Sequence, residues 1–232
     1  MADERRLFSD GKQRALTSKD EAIRAIKQMI VRNELSAGSN HLESELAERL
    51  NMSRTPVREA LLVLEEQGLL EVQPRKGVRI LPLAAEDMSE IYQILTELEG
   101  LAAELAASRN HDPQEFAPAR SAIREMDEAL AKDDREAWAE ADTGFHGELI
   151  RLSGNSRIAH VVGMFNSQVA RARLLTLHMR PSPIKSNEDH RLVLSAIESG
   201  DPRAARRLHS RHRVAAGRLI IDILKKHRLH IV

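Results

Sequence analysis

The sequence predicts a mainly α-helical protein in two parts. The first is a unit of three helices closed by a β-hairpin; the second is an all-α bundle of six to seven helices. Three observations predict this. Apolar residues recur three and four apart along most of the 232 residues. Period-two alternation is confined to residues 70–80. Pro82 follows that stretch, and from Asp87 onward the pattern is helical almost without break. The implied boundaries are a loose N-terminal arm over residues 1–16, the three-helix unit over 17–82 and the bundle over 83–232.

Ser18 followed by Glu21 forms a capping box. Ile23, Ile26 and Ile30 continue it as an apolar stripe, so a first helix is predicted over residues 18–33. Ala37, Gly38 and Ser39 turn the chain, and Leu42, Leu46, Ala47 and Leu50 predict a short second helix. After a tight turn, Thr55 can cap a third helix with Pro56 at its first position. Val57, Ala60, Leu61 and Leu64 give that helix one apolar face, and Gly68 is placed to end it in a left-handed conformation. The second and third helices have helix-turn-helix spacing. Residues 70–73 then alternate, 74–77 turn and 78–80 alternate again, a hairpin with Arg75, Lys76 and Arg79 at or near its tip. Three helices and a basic hairpin make a winged helix-turn-helix. Arg54 and Arg58 flank the N-terminus of the third helix, off its apolar stripe. Helix N-termini attract phosphate, and an arginine fork reads a guanine edge in the major groove. The plain alternative is a surface helix with solvated arginines.

In the second part, Ile91, Ile94, Leu98, Leu101, Ala102 and Leu105 form one helical stripe, and Phe116, Ile123, Met126 and Leu130 a second. Asp133 with Glu136 caps a helix carrying Trp138, Ala141, Phe145, Leu149 and Leu152, which Gly154 and Asn155 break. A long helix follows through Ala172, ending before Pro181 and Pro183; another runs from about residue 187 to 199, and a last one from about 202 to 226. This is an all-α bundle.

Charge is distributed unevenly although the formal net charge is zero. Residues 1–82 carry 14 Lys+Arg against 13 Asp+Glu, residues 83–150 carry 5 against 17, and residues 203–230 carry 9 against 1. No global basic excess points to nucleic acid. The acidic and basic segments either face each other in one bundle or form solvated faces. The chain has no cysteine, which excludes disulfides and thiolate metal sites. With no signal peptide and no spanning run, the expected setting is the cytoplasm, with no membrane partner.

Four polar residues of the bundle sit where core residues belong. Asp142 and His146 are four apart on one helix face. His190 precedes Leu194 and Ile197 on an inner face, and His212 falls in the stripe Ala205, Leu208, His212, Ala215, Leu219. A buried carboxylate and three buried imidazoles are costly unless paired or ligated. One divalent cation would satisfy all four, and the donor set suits zinc, nickel or manganese. The competing reading is hydrogen-bonded core histidines and an Asp–His ion pair. The other histidines, His209 among them, lack companions at ligand spacing or lie off the stripe.

The stretch ELAERLNMSRTPVREALLVLEEQGLLEVQPRKGVRI resembles the N-terminal domain of GntR-family transcriptional regulators, over about residues 18–82. The resemblance implies double-stranded DNA as partner, base or phosphate contacts from Arg54 and Arg58, phosphate contacts from Ser53 and Thr55, and a wing tip at Lys76 and Gly77. Some members carry a further arginine where this chain has Ser44. DTGFHGELIRLSGN, EDHRLVLSAIESGD and AARRLHSRHRV resemble the three signature segments of the FCD domain, the ligand-binding domain of the FadR subfamily, over about residues 88–220. In metal-containing members the ligands are an aspartate and three histidines, here Asp142, His146, His190 and His212. Such members bind a small carboxylate beside the metal. Many place an arginine where this chain has Leu95, so Arg171, Arg173 and Asn166 are candidates for holding the effector instead.

The resulting expectation is a homodimeric, metabolite-responsive repressor on a palindromic operator, its DNA affinity set by a small organic acid at the metal. Signal transmission is expected near residues 81–83. The alternative from a different class is a metal-dependent hydrolase with an accessory DNA module. A purely structural metal is a third possibility.

Overall fold

The structure, a computed structural model, describes residues 17–227; the expected arm over 1–16 lies outside them. Helix α1 (Ser18–Val31) starts one residue earlier in its cap than the sequence predicts. Thr17 accepts from Asp20 N at 3.2 Å, and Asp20 accepts from Thr17 N at 3.1 Å, so Thr17 and Asp20 form the capping box in place of Ser18 and Glu21. The helix ends before Asn33, which takes a positive φ of 59°. A strand not predicted, β1 (Asn40–His41), precedes α2 (Glu43–Arg49) and α3 (Arg54–Glu66). The cap of α3 is Ser53, not Thr55, and Pro56 is its third residue. Proline is tolerated there because the first amides of a helix have no intrahelical acceptor. Gly68 follows α3 with φ 66°, as its position predicts.

Strands β2 (Leu70–Gln73) and β3 (Gly77–Ile80) form the hairpin, with Val72 opposite Val78 and Gln73 opposite Gly77. Strand β1 adds to the other edge of β3, giving the antiparallel order β1-β3-β2. Two residues are too few for periodicity to reveal such a strand. Ile26, Ile30, Leu61, Leu64, Leu70 and Ile80 pack into one hydrophobic cluster that closes this unit.

The remaining chain forms α4 (Ala85–Ala107), α5 (Ala117–Ala131), α6 (Arg135–Ser153), α7 (Ser156–Leu175), α8 (Ile184–Glu198) and α9 (Pro202–His227), with short 3-10 turns before α5 and after α7. Asp134 caps α6 by accepting from Ala137 N at 2.9 Å, while Asp133 adopts φ 52°; the predicted cap at Asp133 is thus displaced by one residue. Helices α4 and α9 pack along each other through the middle of the bundle. Their buried faces differ from the predicted stripes. On α4, Ile94 is exposed, whereas Tyr92, Leu95, Thr96 and Glu99 are buried. On α9, Leu219 is exposed, and His209, His212, Arg213 and Gly217 face inward. Among the described residues no helix is long and apolar enough to cross a membrane.

Candidate functional site

Two regions carry the residues singled out from sequence. In the winged unit, Ser53, Arg54, Thr55 and Arg58 lie on or beside the first turn of α3, and all four are exposed. Ser53 makes no side-chain capping hydrogen bond. Its hydroxyl and the first amides of α3 are therefore available to an anion. Arg75 and Lys76 are exposed at the hairpin turn. Arg75 (φ 66°) and Gly77 (φ 87°) both adopt the left-handed region. A Cβ on Gly77 would lie 2.2 Å from the His41 carbonyl oxygen, so β1 and the wing approach closely only because residue 77 is glycine.

In the bundle, Asp142 and His146 on α6, His190 on α8 and His212 on α9 come together, each less than a tenth exposed. One donor atom from each lies within 4.8 Å of the others. His190 Nε2 is 3.2 Å from His212 Nε2 and 3.5 Å from Asp142 Oδ1, and His146 Nε2 is 3.8 Å from Asp142 Oδ1. Bonds of about 2.1 Å to a single ion separate adjacent ligand atoms by about 3.0–3.4 Å. The three separations given lie at or a little above that spacing, and all four donors stay within 4.8 Å of one another. Asp142 Oδ1 and His146 Nε2 are buried and have no hydrogen-bond partner among the described residues, and such atoms are costly unless ligated. The residues therefore fit a divalent metal.

Protonation favours ligation as well. Burial pushes His146 down to about 3, opposed in part by Glu99, and burial followed by the neighbouring His212 drives His190 well below its ordinary value. Burial opposes ionisation of Asp142, but Arg173 and then His146 outweigh it and hold its carboxyl below the usual range. Neutral imidazole and carboxylate are the forms that bind a metal.

The effector candidates separate. Arg173 on α7 is ion-paired with Asp142 and borders the cluster. Arg171 points elsewhere, donating to the Leu81 carbonyl at 2.6 Å. Asn166 is exposed and lines none of the cavity beside the cluster. That cavity, of about 220 Å³, reaches His212 and is bounded by Trp138, Leu177, Arg180, Lys185 and Asp189. Lys185 is paired with Asp189, whereas among the described residues Arg180 donates only to the Arg173 carbonyl and its buried Nε has no partner. Burial, then the nearby Arg173, lowers the Arg180 guanidinium to about 10. Sequence reading missed Arg180 because it lies between helices, where no periodicity marks it.

It also missed Glu99, His209 and Arg213. His209, set aside as lying off the stripe of α9, is fully buried and 3.0 Å from Glu99. The available signal was a glutamate on the alanine-rich face of α4 that continues through Ala102, Ala103 and Ala106.

A winged helix joined to this helical domain defines a class, the DNA-binding transcriptional regulators. Residues 18–80 match the family model described as bacterial regulatory proteins, gntR family, and residues 90–215 match the FCD domain. The chain belongs to the GntR family, with a C-terminal FCD domain. It is 33% identical over 186 residues to a probable D-xylose utilization operon transcriptional repressor of Paenarthrobacter nicotinovorans, covering 79% of this chain and 80% of the relative. It is 31% identical over 224 residues to an HTH-type transcriptional regulator in an unstable DNA locus of Streptomyces ambofaciens, covering 92% and 88%. McbR/YncC of E. coli shares the fold with a TM-score of 0.76 and 24% identity, over 92% of this chain and 99% of that one. The family consists of regulators, which sets aside the hydrolase alternative. FCD domains are known to bind metals.

Proposed function

We propose that this chain is a metabolite-responsive repressor that binds a palindromic operator in double-stranded DNA as a homodimer. Its DNA affinity is set by a small organic acid bound at a divalent metal held by Asp142, His146, His190 and His212. The observation that carries the reading is the buried donor set with two unpartnered ligand atoms, at spacings matching one ion. Zinc, nickel and manganese all suit it. A divalent ion with one carboxylate ligand keeps net positive charge and open positions, so it attracts an anionic chelator. The adjoining cavity supports a small carboxylate as effector, with Trp138 and Leu177 as apolar wall and Arg180 as a cation that forms no ion pair among the described residues. On DNA, Arg54 and Arg58 read bases or phosphate, Ser53 and Thr55 contact phosphate, and Arg75, Lys76 and Gly77 enter the minor groove. The repressor assignment follows the name of the Paenarthrobacter relative.

The test is metal content after loading with zinc, nickel or manganese, for the unmodified chain and His190→Ala. One ion per protomer, lost in the variant, is the expected result for a four-ligand site. An unmodified chain that takes up none of the three overturns the metal. Addition of small carboxylates to the loaded protein on operator DNA then tests the effector.

A further inference from the structure

Glu99 lies on α4, is 4% exposed and is met by three donors. Its Oε2 is 2.9 Å from His146 Nδ1 and 3.0 Å from His209 Nε2, and its Oε1 is 3.1 Å from an Arg213 terminal nitrogen. A guanidinium is always charged and only donates, and the carboxylate opposite it only accepts. Both imidazoles must therefore donate from the nitrogen that faces Glu99. For His146 that fixes the proton on Nδ1. Among the described residues its Nε2 has no acceptor within hydrogen-bond distance, so a second proton there would be buried and unsatisfied.

We propose that Glu99 is the positioning residue of the cluster, holding His146 as the Nδ1–H tautomer so that its bare Nε2 faces Asp142, His190 and His212. Glu99, His146 and His209 also bring three donor atoms within 4.8 Å of one another, as a second ion would need. The structure favours the first reading, because the facing ring nitrogens and both Glu99 oxygens are already engaged with one another and with Arg213. Arg213 is itself fixed from behind. Its guanidinium carbon stands 4.9 Å from the centre of the Tyr92 ring, and that ring occupies the space left by Gly217. Packing between α4 and α9 thus runs through Gly217, Tyr92, Arg213 and Glu99 to a ring on α6. Outer partners of this kind typically change metal affinity 10–100-fold.

The consequence for metal affinity rests on the metal proposed above; the tautomer does not. The experiment combines nitrogen-15 NMR of the histidine rings in metal-free protein with zinc affinity by chelator competition, for the unmodified chain and Glu99→Gln. The expected results are an Nδ1–H His146 in the unmodified chain and an Nε2–H population appearing in Glu99→Gln, with zinc binding weakened about 10–100-fold. An Nε2–H His146 in the unmodified chain overturns the proposal even when the variant does not fold. An unaltered tautomer in a folded Glu99→Gln overturns it as well. Absence of zinc binding by the unmodified chain removes the metal reading alone, and the ring spectra still decide the role of Glu99.

Discussion

Gln168 donates from Nε2 to the main-chain carbonyl of Gln67 at 2.9 Å, tying α7 of the bundle to the residue that ends α3. One helical turn on, Arg171 donates to the Leu81 carbonyl between the wing and α4. Two residues further, on the other side of α7, Arg173 holds Asp142. One helix therefore touches both the polar cluster and the winged unit. A ligand changes DNA affinity only through an element that differs between two arrangements, and α7 is in position to be that element. The neutral Gln168 hydrogen bond contributes about 0.5–1.5 kcal/mol and the charged one from Arg171 about 1.5–3 kcal/mol, together less than the roughly 5–15 kcal/mol of a folded domain, so a Gln168→Ala/Arg171→Ala chain should stay folded. Its operator affinity, measured by fluorescence anisotropy, should lose most of the difference that a small carboxylate makes in the zinc-loaded unmodified chain. A difference as large as in the unmodified chain would assign transmission to another element.

Arg58 is exposed at the start of the second turn of α3, one turn from Arg54. If it reads a guanine edge, Arg58→Ala should cost about 1–3 kcal/mol of operator affinity and relax specificity at one base pair. If it contacts phosphate instead, all sequences should weaken alike and the dependence of log affinity on log salt should flatten by about one unit. Titration of footprinted and scrambled duplexes at several salt concentrations separates the two. Unchanged affinity for both would remove Arg58 from the interface.

The winged unit was legible because its signals are local: apolar spacing in α1 to α3, a glycine at the end of α3 and one alternating hairpin. The four clustered donors of the bundle were legible for a similar reason, since each is a polar residue on an otherwise apolar helix face. What escaped depends on contacts between elements distant in sequence. Glu99 and His209 are 110 residues apart and explain each other only once α4 and α9 are side by side. The predicted stripe of α9 runs through Leu208 and Leu219, slightly off the buried face, and so leaves the buried His209 outside it. Caps at Thr17, Ser53 and Asp134 were each misplaced by one or two residues, because adjacent polar residues offer equivalent capping groups.

Gly217 faces the Tyr92 ring so closely that a Cβ there would lie 2.7 Å from Cδ1. Gly217→Ala should therefore displace Tyr92, cost about 1–3 kcal/mol as overpacking, and weaken zinc binding through the loosened Arg213 and Glu99. Gly163 on α7 has nothing within 4 Å of the same position among the described residues, and Gly163→Ala should be neutral or stabilising by up to about 1 kcal/mol. Urea denaturation and chelator competition on both variants compare the two effects. Equal behaviour would show that α4 and α9 adjust without disturbing the cluster.

Acid should destabilise the metal-free fold for a definable reason. His146 falls to about 3 in the folded chain from an ordinary value of 6.5, chiefly through burial, and His190 and His209 shift downward for the same main reason. Between those limits the unfolded chain takes up protons that the folded chain refuses. Stability is therefore level above about pH 6.5 and declines as pH falls below it, by at most about 1.4 kcal/mol per unit for each such group. Glu99 and Asp142 add to the loss further down, since their lowered values make the folded state prefer the ionised form. Urea midpoints in excess chelator should be lower at about pH 5 than at about pH 7.5, and His146→Gln should reduce the difference. In zinc-loaded protein the decline should be steeper, because protons then also compete with the ion for its ligands. Equal midpoints at both pH values in the metal-free chain would mean that the buried rings accept protons in place, which contradicts the neutral donor set on which ligation depends.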